Sequence, residues 1–172
     1  MTETTPTTTT ITTATPSRLW KRMSRAQRLA AARAFWIDEQ ATDDQIQAAV
    51  IIAQQKKFRP KTVVGLDVDR KAQHLASLPS LPEQIAARVL IAHHLAHQRP
   101  MMGMFLDALG LPHDDGLIQD EEVKPDAAKM ASAVARIAEQ FPVEDVGLYL
   151  NTLLVQDPDT WGALRGLPEL EG

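Results

Sequence analysis

Four of the five histidines in this 172-residue chain lie between His93 and His113. His93 and His97 stand four residues apart, so on one helix both imidazoles project from one face. That is the spacing with which zinc-binding helices present two nitrogens to one ion. His94 lies roughly 100° away around the same helix and points elsewhere. A catalytic zinc helix of this kind places a glutamate directly after its first histidine as general base. Here that place is held by His94, so metalloprotease chemistry lacks its base. The same wheel sets His93 and His97 beside Ala86 and Leu90, on the flank of a stripe made by Ile85, Val89, Ala92 and Ala96. A histidine so placed ordinarily packs on one side and hydrogen-bonds on the other.

Farther along, His113 and Asp114 form a pair and Asp157 stands alone. The order His, His-Asp, Asp resembles the ligand series of the HD superfamily of all-helical metal phosphohydrolases. That resemblance implies that His93 or His94, with His113, Asp114 and Asp157, holds a divalent ion that activates water for attack on phosphate. It covers four residues and no continuous motif. In that family the His-Asp pair sits inside a helix, whereas here it follows Gly110-Leu-Pro112, a helix stop. His113-Asp-Asp-Gly116 reads as a tight turn, and Asp157, which precedes a proline, as a helix cap. The residues by themselves therefore favour structural histidines and no cofactor. A divalent metal on His93, His97, His113 and Asp114 is the alternative.

Other chemistries have less to build on. The chain contains no cysteine, which removes disulfides and thiolate metal sites. It has no G-x-S-x-G motif, and its eight glycines are scattered rather than gathered into a phosphate cradle.

Two stretches suggest binding instead. Arg18, Lys21, Arg22, Arg25, Arg28 and Arg33 run without an acidic residue until Asp38, with Trp20, Phe35 and Trp36 among them. Such interleaving suits a nucleic-acid backbone or a membrane surface. Lys56, Lys57, Arg59 and Lys61 extend the basic character, while Asp114, Asp115, Asp120, Glu121, Glu122 and Asp126 form an acidic run. Residues 1–61 hold ten Lys/Arg against five Asp/Glu, and residues 62–172 hold eight against seventeen. Opposite patches on one chain can pair within a molecule or between copies. Met101, Met102 and Met104, followed by Phe105, Leu106 and Leu109, make an adaptable apolar segment that suits either a core or a groove for a partner helix.

The elements that must position these residues read as helices. Ser24-Arg-Ala-Gln27, Thr42-Asp-Asp-Gln45 and Ser80-Leu-Pro-Glu83 have the capping-box form. Pro82, Pro100, Pro125, Pro142 and Pro158 stand where helices would begin. Apolar residues recur at helical spacing in Ile46, Ala49, Val50 and Ala53, in Ala127, Met130, Val134, Ile137 and Phe141, and in Val143, Val146, Leu150 and Leu153. Phe58 to Leu78 reads as helix, turn and helix, the second starting near Asp67 or Asp69. The first sixteen residues, with ten threonines and two prolines, have too little apolar surface to offset ordering entropy and read as a disordered tail.

The expectation is an all-α chain: a tail over 1–16, then one compact domain over 17–172 of about six to seven helices. No window is apolar enough to span a bilayer, and the N-terminus lacks the pattern of a signal peptide, so a cytoplasmic protein is expected. The function expected is a non-enzymatic helical interaction module, for a protein partner or a second copy, with Met101, Met102, Phe105, Arg22, Arg25 and Arg28 at the contact. An HD-like metal-dependent phosphohydrolase is the alternative, and nucleic-acid binding through the basic N-terminal helix is a third option.

Overall fold

Thr15 opens the fold. Its hydroxyl accepts the Arg18 amide and Pro16 enters the first turn, so α1 (Pro16–Arg22) starts inside the stretch expected as tail. The computed structural model describes residues 14–120 and 122–171; residues 1–13, for which disorder was expected, lie outside the described residues. Ala14, the first of them, already packs against the core. Thus three residues of the expected tail, Ala14 to Pro16, belong to the folded part.

The chain continues through α2 (Arg25–Ile37), a 3-10 turn at Glu39–Ala41, α3 (Thr42–Lys56), α4 (Pro60–Val64), α5 (Val68–Ala76), α6 (Glu83–His97) and α7 (Arg99–Ala108). A two-stranded hairpin, β1 (His113–Asp114) and β2 (Leu117–Ile118), then precedes α8 (Ala127–Gln140) and α9 (Val143–Gln156). Two 3-10 turns, Gly162–Leu164 and Pro168–Glu171, finish it. The fold is all-α, with nine α-helices among the described residues. The excess over six or seven comes from α1 and α4, which have only seven and five residues. Among the described residues no helix is long and apolar enough to cross a membrane.

Local chemistry explains most boundaries. The Ser24 capping box forms in full, with the Ser24 hydroxyl accepting the Gln27 amide and the Gln27 side chain accepting the Ser24 amide. Asp67 caps α5 by accepting the Arg70 amide. The two other expected capping boxes do not form. The Gln45 side-chain amide instead donates to the carbonyls of Phe35 and Asp38, both at 2.9 Å, because the 3-10 turn already leads directly into α3. Glu83 accepts the Ser17 amide at 3.0 Å, tying α6 to the start of α1. Pro158 begins a turn and no helix.

Two hydrophobic clusters result. Trp20, Phe35, Ile52, Leu75, Ile85 and Leu90 anchor the first, which α1, α2, α3, α5 and α6 build. Met101, Phe105, Met130, Ile137, Leu150 and Trp161 anchor the second, which α7, α8, α9 and the turn at Gly162–Leu164 build. Helices α6 and α9 join them, through a bond between His94 and Thr152. Gln27 of α2 also reaches Asp145 of α9 at 3.1 Å.

The hairpin is where the sequence pattern gave only a turn. Asp115 and Gly116 take φ of 49° and 87°, the two left-handed residues of the tight hairpin turn. At Gly116 a Cβ would stand 2.7 Å from the Met102 Cβ and 3.2 Å from the Arg99 carbonyl. Only glycine lets the hairpin lie directly on α7.

Candidate functional site

Helix α6 carries the histidines, and its apolar face turns both His93 and His94 inward, to 3% and 4% exposure. The i, i+4 pair meets as its spacing predicts, the His93 and His97 rings lying 5.4 Å apart. His93 nonetheless has no hydrogen-bond partner on either ring nitrogen among the described residues. Burial, then neighbouring His97, push its pKa down to about 4, against an opposing pull from Asp145.

His94 is read more fully. The Thr152 hydroxyl donates to the Leu148 carbonyl at 2.7 Å, so its oxygen accepts from His94 Nε2 at 2.9 Å. The proton of the neutral ring therefore sits on Nε2, and the bare Nδ1 is buried with no partner among the described residues. Burial and the neighbouring His93 push the pKa down to about 3. Tyr149 stacks edge-on against the same ring at 5.6 Å, and burial pushes its phenol up. Thr152 and Tyr149 lie within the segment whose apolar stripe is Val143, Val146, Leu150 and Leu153, and carried no signal in the sequence that tied them to His94.

The remaining expected metal ligands are engaged elsewhere. The Gly116 amide donates to His113 Nδ1 at 3.0 Å, so Nε2 carries the proton and donates to Asp107 at 2.7 Å. Nδ1 thus braces the hairpin turn, and Nε2 holds the hairpin onto α7. Asp114 is exposed on β1 beside Leu117. Asp157 accepts the amide and hydroxyl of Thr160, and these bonds lower its pKa. Among the described residues no group of three or more His, Asp or Glu is arranged to hold a metal ion. The four residues that carry the HD resemblance do not form one site.

The expected interaction residues are also redistributed. Met101, Met102 and Phe105 are buried, because α7 packs against α8 beneath the hairpin; Phe105 lies 5.7 Å from the Tyr149 ring and 5.9 Å from the Trp161 ring. They are core and present no surface. Arg28 donates from Nε to the Trp20 carbonyl at 2.9 Å and from Nη2 to the Lys21 carbonyl at 2.7 Å, covering the end of α1. Its guanidinium also lies over the Trp20 ring. Arg22 and Arg25 remain exposed.

An exposed surface arises instead at the α3–α4 corner. The inward row of α3 is Ala48, Ala49, Ile52 and Ala53, a rotation from the stripe expected over Ile46, Ala49, Val50 and Ala53. Ile46 is therefore 55% exposed and Val50 joins it on the outer row, while Phe58 is 42% and Val64 55% exposed at the corner itself. The corner turns because Lys57 adopts φ of 58° and Pro60 restarts the chain as α4. Lys56, Lys57, Arg59 and Lys61 flank Phe58 in the chain, all exposed and none in a salt bridge among the described residues, while the Phe58 ring meets His74 edge-on at 5.7 Å. Sequence reasoning counted these cations but gave Ile46 and Val50 to the core. The signal available was the run Lys56-Lys-Phe-Arg-Pro-Lys61, an aromatic among four cations. No family model, curated protein or solved structure matches the chain.

Proposed function

We propose that the chain is a non-enzymatic helical interaction module whose contact surface is the α3–α4 corner. One observation carries this reading: four exposed cations, in no salt bridge among the described residues, flank exposed Phe58 in the chain, with Val64 on the short helix that follows and Val50 on the helix before it. Apolar side chains exposed together and rimmed by charge of one sign favour a partner that supplies apolar area and the opposite charge. The complementary surface on this chain is the exposed acidic segment after α7. Asp114, Asp115, Asp120, Glu122 and Asp126 are all exposed there, beside half-exposed Leu117. Self-association of two copies, corner to acidic segment, is the form this reading takes. A two-fold arrangement would make the contact twice, whereas a head-to-tail arrangement would extend into chains of molecules.

The test is a photo-crosslinking amino acid at position 58 of the full chain, followed by mapping of the crosslinked peptide. Crosslinks to residues 114–126 of a second copy are expected. Crosslinks scattered over the surface, or none at concentrations that allow association, would overturn the reading.

A further inference from the structure

Between α6, α9 and the hairpin lies a cavity of about 210 Å³. Ile91 and Leu95 of α6, Met102 of α7, Leu153 of α9 and Ile118 of β2 give it largely apolar walls. Its roof is fixed rather than loose. His113 bonds to Asp107, Arg99 donates to the Asp115 carbonyl at 3.2 Å, and Gly116 rests on Met102. Two hydroxyl groups reach its wall from α9, on Thr152 and Tyr149. Thr152 is already committed to Leu148 and His94. The Tyr149 hydroxyl makes no hydrogen bond among the described residues and, unlike the bare His94 Nδ1, is not a fully buried unpartnered atom, so it stays within reach of solvent.

We propose that this cavity binds a small apolar molecule of one- or two-ring size that carries a single hydrogen-bond acceptor for the Tyr149 hydroxyl. The size follows from comparison with engineered apolar cavities, where about 150 Å³ accommodates benzene. The polarity follows from the wall: apolar contacts supply affinity and a single placed donor supplies orientation. Burial raises the Tyr149 pKa, so the phenol remains a donor at neutral pH. A ligand carbonyl in the cavity can accept that hydrogen in place of water. The cavity shares no residue with the α3–α4 corner, and of the acidic contact segment only Leu117 reaches its wall.

Acetophenone and toluene are the probes, one with a carbonyl and one without, titrated into the full chain and followed by methyl resonances. Saturable shifts are expected at Ile91, Ile118, Met102 and Leu153. Tyr149→Phe is expected to weaken acetophenone about fivefold to tenfold, the effect of one hydrogen bond, and to leave toluene unchanged. Ile118→Trp, which fills the cavity from its half-buried roof, is expected to abolish both, and Ile91→Phe serves if that variant does not fold. Absence of saturable shifts for both probes would overturn the proposal. So would equal weakening of both by Tyr149→Phe, or undiminished binding in a folded cavity-filling variant.

Discussion

Acidification should unfold this protein through its buried histidines, and His93→Leu should blunt the effect. His93 and His94 titrate near 4 and 3 in the fold, against an ordinary value of 6.5 that the unfolded chain regains. A histidine held below its unfolded pKa stabilises the fold fully above about pH 6.5, and that stability is lost as pH falls through the interval down to the folded value. By pH 5 each contributes a loss of about 2 kcal/mol, together about 4 kcal/mol, a large part of a typical margin of roughly 5–15 kcal/mol. At 3% and 4% exposure neither group is screened by solvent enough to reduce this much. His93→Leu replaces an imidazole whose nitrogens have no partner among the described residues, so stability at pH 7 should be equal or higher. The measurement is urea unfolding by circular dichroism from pH 7 to pH 4.5. Between pH 6 and 4.5 the wild-type slope should exceed that of His93→Leu by about 1.2 kcal/mol per pH unit, most of one proton. Equal slopes would refute the burial of a neutral His93.

Three further outcomes follow from the same packing. Gly116→Ala forces a Cβ to within 2.7 Å of Met102 at a φ of 87°, and should lower stability by about 1–3 kcal/mol in chemical denaturation, with the hairpin amides losing exchange protection. Met102→Asp, a surface change if the methionines formed a docking face, should instead destabilise by several kcal/mol, because it places a carboxylate in the second cluster; calorimetry reads this directly. Zinc titrated into untagged protein should show no stoichiometric, saturable uptake. An ion that is taken up and then lost in His93→Ala and His97→Ala together would return the metal reading to the helix that first suggested it.

The helices were legible because their signals are local. The Ser24–Gln27 box, the Asp67 cap and the prolines at 100 and 142 act within one turn, and the structure uses each at or beside a helix start. The pairing of His93 with His97 was legible for the same reason, being fixed by helical spacing alone. What the spacing did not contain was the direction each face turns. In α3 the alanines pack inward because small side chains allow α3 to approach α6 closely, and the larger Ile46 and Val50 are left outside. Likewise His113 and Asp114 followed a family's order, but the partners of His113, Asp107 and the Gly116 amide, arise only once the hairpin folds back on α7. Thr42 and Ser80 have the right residues for a cap and lost the role to a preceding 3-10 turn and to Pro82, respectively.

The claim that the α3–α4 corner is the contact surface is tested most directly by charge reversal read in sedimentation equilibrium. Lys57→Glu with Lys61→Glu changes two exposed cations and no core contact, so the fold should persist while association weakens about tenfold or more at low salt. Adding Asp114→Lys and Asp120→Lys to that variant should restore association. Restoration by the second pair is the predicted result. Association unaltered by the first pair, or a wild-type chain that remains monomeric at every concentration, would contradict the account.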